Sequence, residues 1–188
     1  SSPVVDFQVS ASYFVVAHFH YVLFGTVVFS MFSGFYFWWP KLTGRMLDER
    51  LGKWHFWLTF IGFHTTFLIQ HWLGVEGMPR RYASYIYEFQ IYHQISTIGS
   101  YILLLGFLIH LFVFLHSLVV GRKASQNPWG GLTMEWEAAT PPSEHNFEHE
   151  PLCKHGPYDF DTTVPPGWDP KDYPIPAENL RMAAAGAH

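Results

Sequence analysis

The sequence predicts an all-α membrane protein: three transmembrane helices followed by an extended polar C-terminal tail. Three observations predict it. The 188 residues are 49% hydrophobic and 19% aromatic, and only 14% are charged. Up to about residue 120 the chain is dominated by three long apolar runs, and beyond them it turns polar and rich in proline. A mean hydropathy near zero averages these two unlike parts. Histidines, threonines and a glutamine inside the runs suit helices packed within a larger bundle, not helices facing lipid alone. We therefore expect a membrane part over 1–123 and a cytoplasmic, acidic, proline-rich tail over 124–188. The net charge of -4 offers no argument for a nucleic-acid partner, and none is expected.

The first span runs from about Tyr13 to Trp39. At about 1.5 Å per residue it exceeds the roughly 30 Å hydrocarbon layer, so it can tilt or protrude. Phe35, Tyr36, Phe37, Trp38 and Trp39 form an aromatic end suited to the membrane interface, and Pro40 is expected to mark the stop. His18 and His20 lie in the middle of the run, within Val15-Val16-Ala17-His18-Phe19-His20-Tyr21-Val22-Leu23. Residues two apart on a helix are separated by about 200° and face nearly opposite ways. Two ligands for a single metal normally sit at i and i+4. This spacing instead suits two separate centres, one on each side, with Phe19 between them. An imidazole in hydrocarbon is costly unless its nitrogens are used, and a neutral imidazole suits haem iron. On chemistry alone two readings stay open: ligands of two centres, or buried histidines bonded to neighbouring helices.

The connector carries Lys41, Arg45, Arg50 and Lys53, which places it in the cytoplasm by the positive-inside rule. The second span, about Trp54 to Leu73, holds His55, His64, Thr65, Thr66, Gln70 and His71. His64 is expected to be a hydrogen-bonded packing residue. The following loop, with Arg80 and Arg81, then falls outside. Those arginines are either a solvated pair or a recognition site for anions, since guanidinium forks match carboxylates. The third span, about Ile95 to Val120, holds Ser96, Thr97, His110 and His116, and its histidines read as packing residues. Arg122 and Lys123 close it on the inside.

The tail is acidic and dense in proline, so extended segments with little core are expected on a partner surface. His145, His149 and His155 have no metal-site spacing, and Cys153 has no cysteine partner within the chain. No basic region with a small-residue cleavage site precedes the first span, so no signal peptide is expected. The start at Ser1, without an initiator Met, is read as a fragment or a processed chain.

The string Ser12-Tyr13-Phe14-Val15-Val16-Ala17-His18-Phe19-His20-Tyr21-Val22-Leu23 closely resembles a segment of subunit I of the haem–copper terminal oxidases. Gly74-Val75-Glu76-Gly77-Met78-Pro79-Arg80-Arg81-Tyr82 resembles that family's loop after its next-to-last helix. Gly34-Phe35-Tyr36-Phe37-Trp38-Trp39-Pro40 is similar to the end of its histidine-bearing helix in bacterial members. Leu132-Thr133-Met134-Glu135-Trp136, Pro141-Pro142 and His145-Asn146-Phe147 resemble the start of its C-terminal tail. The resemblance runs from about Asp6 to about Phe147, with the motifs in the family's order.

The resemblance implies that the three spans are the last three of about twelve in the subunit I bundle. It implies that His18 is the axial ligand of the high-spin haem where oxygen is reduced, and therefore catalytic. It implies that His20 is an axial ligand of the low-spin haem that delivers electrons. Arg80 and Arg81 would bind the haem propionates, with Pro79 helping to fix the loop. Asp6 resembles an acid near the propionates, with either a role in proton exit or only an exposed loop position. Two haems of the A type are implied, with copper beside the high-spin haem. The copper ligands, the second low-spin ligand and the proton-uptake channels belong to preceding helices. At Ser10 and Ala11 the family commonly has a His-Asp pair that binds magnesium, so no such site is expected from these positions.

The implied function is part of the catalytic subunit of a proton-pumping cytochrome c oxidase in a bacterial plasma membrane, with its tail in the cytoplasm. The segment alone is not expected to be active. Its implied partners are the remaining N-terminal helices of subunit I, subunits II and III, cytochrome c and oxygen. A quinol oxidase segment and a catalytically inactive three-span membrane fragment are the alternatives.

Overall fold

The computed structural model describes residues 2–147, 151 and 156–159. Among these the chain is helical, with isolated bridges but no β-strand. Helix α1 spans Pro3–Val9, and the expected first span begins just after it. That span is one helix, Tyr13–Thr43, made of α2 (Tyr13–Leu23), a π-helical turn (Phe24–Val28) and α3 (Phe29–Thr43). Helix α4 spans Glu49–Val75. A short 3-10 turn, Tyr87–Phe89, leads into α5, Gln90–Val120, and α6 covers Met134–Glu137.

Two helices are long and apolar enough to cross a membrane, Tyr13–Thr43 and Tyr87–Val120. Helix α4 is comparably long, about 40 Å at 1.5 Å per residue. It falls outside that class because His55, His64, Gln70 and His71 interrupt its apolar sequence. The count of three spans expected from the sequence therefore has two clear members here.

The helix boundaries follow local chemistry. Ser12 starts α2: its hydroxyl accepts from the Phe14 amide at 3.2 Å and donates to the Val9 carbonyl at 2.6 Å. Asp48 caps α4 by accepting from the Leu51 amide at 2.8 Å. The first span does not stop at Pro40. Proline removes one donor, but α3 continues to Thr43, and Gly44 ends it with a φ of 68° and an amide that donates a hydrogen bond back to the Pro40 carbonyl at 2.8 Å. The left-handed cap, not the proline, sets the end.

The chain divides into two compact units. The first comprises the chain up to Gly34 together with Asp48–Leu115. In it α4 packs on α5 along a seam of small residues. A methyl group on Gly99 would lie 2.5 Å from the Thr66 amide nitrogen, and one on Gly106 would lie 2.5 Å from Thr59 Oγ1. Such close approach is how helices gain contact where water supplies no driving force. Some of the polar groups inside the seam bond one another. Gln70 Nε2 donates to Ser96 Oγ at 2.9 Å, Ser96 Oγ donates to the Thr66 carbonyl at 3.0 Å, and Thr66 Oγ1 donates to the Gly62 carbonyl at 2.7 Å. Against α2 and the π turn, helix α4 presents Phe63 and Phe67: Phe67 stacks on His20 of α2, and Phe63 stacks on Phe24 of the π turn at 5.1 Å between centroids. Gly74 is fully against Phe14, whose backbone leaves no room for a methyl group.

The second unit comprises Phe35–Leu47 with the described residues from His116 onward. Lys41, counted above as an inside charge, is buried at 3% exposure. Its ammonium donates to the carbonyls of Gln126 at 3.1 Å and Trp136 at 3.5 Å, and to that of Ala138. Trp38 stacks on Trp136 at 5.2 Å, and Trp129 Nε1 donates to the Phe37 carbonyl at 2.8 Å. Leu132, Trp136 and Ala138 are buried, so the start of the tail carries a core where extended segments were expected. The sequence supplies that core through tryptophans, which outweigh the local acidity. His149, Cys153 and His155 lie outside the described residues.

Gly99→Val forces α4 and α5 apart at Thr66. We expect a loss of about 1–3 kcal/mol, read as a lower thermal midpoint of the detergent-extracted protein. Gly34→Ala, with nothing within 4 Å of the added methyl group, should leave the midpoint unchanged or slightly raised.

Candidate functional site

The paired histidines lie on α2 where the helix is regularly α-helical, and the π turn begins only at Phe24. The separation of about 200° predicted for residues two apart therefore holds. His18 is exposed and His20 is half-buried. Ala17, between the two faces, is fully buried.

His20 is held in detail. Its Nδ1 donates to the Val16 carbonyl one turn earlier, at 2.7 Å. A carbonyl can only accept, so Nδ1 carries a proton, and in the neutral ring Nε2 then keeps the lone pair. The ring stacks on Phe67 of α4, 4.1 Å between centroids and 13° between planes, and meets Phe19 at 4.4 Å and 31°. A neutral imidazole with one nitrogen tied to a carbonyl and the other free is the donor form that iron takes, so the residue fits the haem its sequence context implies. No described residue hydrogen-bonds the His18 ring.

The arginine loop is strapped to the start of the histidine helix. The Tyr13 amide donates to the Met78 carbonyl at 3.0 Å, and the Arg80 amide donates to the Ala11 carbonyl at 2.9 Å. Ser12 and Pro79 face each other in an isolated antiparallel bridge. Met78 is 1% exposed and anchors the loop. Ala11 and Arg81 adopt φ of 60° and 70°, so both sides of the strap turn through left-handed backbone. Arg80 is half-buried and Arg81 exposed. Among the described residues neither arginine forms an ion pair. The strap brings Arg80 and the start of α2 together, about 7.5 Å along the helix axis from His18 at 1.5 Å per residue. Asp6 is exposed on α1, and Ser10 and Ala11 form the turn that follows it.

Other histidines fill packing roles. His64 Nδ1 shares a 2.6 Å hydrogen bond with Tyr21 Oη, as its expected bonded role requires. His71 meets Phe14 and Tyr21 edge-on, at 5.0 and 5.2 Å. His55 and His110 lie 4.7 Å apart and both meet Phe32. Sequence reasoning missed Phe67 and His93. His93 stacks on Tyr85 at 4.1 Å and meets Tyr13 edge-on at 5.3 Å, beside the strap. Spacing gives no sign of the contacts of Phe67 with His20 or of His93 with Tyr13, because each joins residues far apart in the chain.

The chain is thus helical, with apolar helices long enough to cross a membrane, two opposed histidines on one of them and an arginine loop strapped to the start of that helix. The family described as cytochrome c and quinol oxidase polypeptide I matches residues 1–102, and the chain belongs to that family. The cytochrome c oxidase subunit 1 of Corynebacterium diphtheriae is 54% identical over 158 residues, covering 82% of this chain and 28% of that protein. That of Corynebacterium glutamicum is 53% identical over 158 residues, covering 82% and 27%. The protein of Nocardia farcinica named "Probable cytochrome c oxidase subunit 1-beta" is 48% identical over 188 residues, covering 98% and 30%. The chain spans about three tenths of the length of the curated relatives it matches.

Tyr21→Phe deletes the bond to His64 and keeps the ring. We expect a loss of about 0.5–1.5 kcal/mol, measured as a lower thermal midpoint. His64→Phe added to it should cost little more, because the two changes remove the same bond.

Proposed function

We propose that this chain forms the last three membrane helices of an oxidase subunit I of about twelve, with α4 as the third crossing. In that setting it serves a proton-pumping cytochrome c oxidase that reduces oxygen to water. His18 is the axial ligand at the oxygen-reducing centre and His20 an axial ligand at the electron-delivering centre. The observation that carries this reading is the pair of opposed histidines on a regular helix, with His20 Nδ1 tied to Val16 and Nε2 left to bind metal. Haem iron, when bound, supplies one-electron transfer on the His20 side and oxygen binding on the His18 side. Haem A fits the family, and copper would be held by residues of preceding helices.

The chain's own residues do the rest. The Val16 carbonyl holds the proton on His20 Nδ1, and Phe19 and Phe67 pack against its ring. Arg80 and Arg81 offer planar forks to propionate carboxylates, held at the mouth of α2 by the strap. Subunits II and III, the preceding helices of subunit I, cytochrome c and oxygen are the partners of this reading. The bacterial relatives support a bacterial plasma membrane. Arg45, Arg50, Lys53, Arg122 and Lys123 support a cytoplasmic connector and tail. The family description also covers quinol oxidases, whereas the relatives named above carry cytochrome c in their names, which favours cytochrome c as donor.

The test is a reduced-minus-oxidised optical spectrum of the full-length oxidase, with and without carbon monoxide. His18→Ala should abolish the carbon-monoxide-sensitive component and oxygen reduction. His20→Ala should abolish the low-spin component. Intact bands in both variants would sink the assignment. Arg80→Gln with Arg81→Gln should weaken haem retention about 10–100-fold, the equivalent of one or two charge-assisted hydrogen bonds, read as haem per protein after dialysis against a haem acceptor.

A further inference from the structure

His20 is gripped on three sides, and only one grip comes from another helix. The hydrogen bond to Val16 selects the free nitrogen and aims it. It does not by itself stop the ring turning about its Cβ–Cγ bond, a torsion with broad minima in histidine. Phe19 sits on the same helix and lies 31° out of parallel with the imidazole, so it blocks this rotation only in part. Phe67 reaches across from α4 and lies nearly parallel to the imidazole, at 4.1 Å and 13°. Face-to-face contact at that distance leaves the imidazole no room to rotate without striking the phenyl ring. Phe67 is itself braced by Phe63 at 5.3 Å and Phe24 at 6.4 Å, so its own plane is set by packing between α2 and α4.

We propose that Phe67 is a positioning residue that fixes the plane of the His20 imidazole as an axial haem ligand. The inference rests on the reading of His20 given under Proposed function and adds a residue to it. The plane of an axial imidazole decides how its π orbital overlaps the iron d orbitals. That overlap sets the anisotropy of a low-spin ferric centre, and partners behind a ligand tune the metal in the same way. A leucine at position 67 would fill much of the same space and still let the ring turn. Phe67→Tyr would keep the stack.

The experiment uses the assembled oxidase with full-length subunit I and reads the electron paramagnetic resonance of its low-spin ferric haem beside haem per protein. Phe67→Leu should retain haem, displace the outer g values and broaden them. Phe67→Tyr should return the wild-type values. Unchanged g values in Phe67→Leu at full haem content would overturn the proposal, and so would equal displacement in both variants, which would mark a volume effect. Where Phe67→Leu fails to assemble, Phe67→Met is read by the same criteria. His20→Ala separates the two layers. If the low-spin signal survives that change, the ligand reading itself fails and Phe67 falls with it. If the signal is lost but Phe67→Leu is silent, only the positioning role fails.

Discussion

The bond from His20 Nδ1 to the Val16 carbonyl is the interaction on which the site depends. It spans one helical turn, so it exists only where the backbone keeps the α-helical register. The same register puts His18 on the opposite side. The π turn at Phe24–Val28 adds its offset only after both histidines have been placed. The amide of Phe29 there reaches back five residues, to the Phe24 carbonyl. An offset of that kind placed between the two histidines would have swung His20 relative to His18 and pulled its ring from Phe67.

Around that bond the structure is built from contacts that need no hydrophobic driving force. Helix α4 meets α5 through Gly99, Gly106, Thr59 and Thr66, and meets α2 through Gly74. Several of its polar groups bond one another, as with Gln70 Nε2, Ser96 and Thr66, whereas Thr59 Oγ1 and Gln70 Oε1 find no hydrogen-bond partner among the described residues. Helix α4 thereby acts as a wedge between its neighbours, carrying Phe67 to one histidine and His64 to the tyrosine beside it. Its polar sequence and its place in the packing have the same cause.

Much of this was legible in the sequence, and the parts that were not share a physical origin. Apolar run length gave the helices, and the i, i+2 spacing gave the opposed faces of His18 and His20. The helix ends were less legible. Ser12 and Asp48 cap their helices without having been read as caps, and Pro40 misled because proline deletes one donor without forcing a helix to end. The aromatic partner of His20 was not legible, since Phe67 is one of 18 phenylalanines and only tertiary packing singles it out. The burial of Lys41 was equally hidden. Three carbonyls from a segment about 85–97 residues later receive its charge. The core beneath Trp136 was masked by acidic neighbours that suggested an extended tail.

The strap between Ala11–Tyr13 and Met78–Arg80 also imposes an order in time. A ribosome makes the histidine helix first and the arginine loop roughly 60 residues later. At about 5–20 residues per second that is a gap of roughly 3–12 s. Throughout that interval the mouth of α2 has neither its backbone partners nor its two guanidinium groups. The nascent chain therefore carries its paired histidines before its arginine loop exists, and the mouth closes only once α4 has been made and has turned back. Any group that needs both must arrive late, or wait.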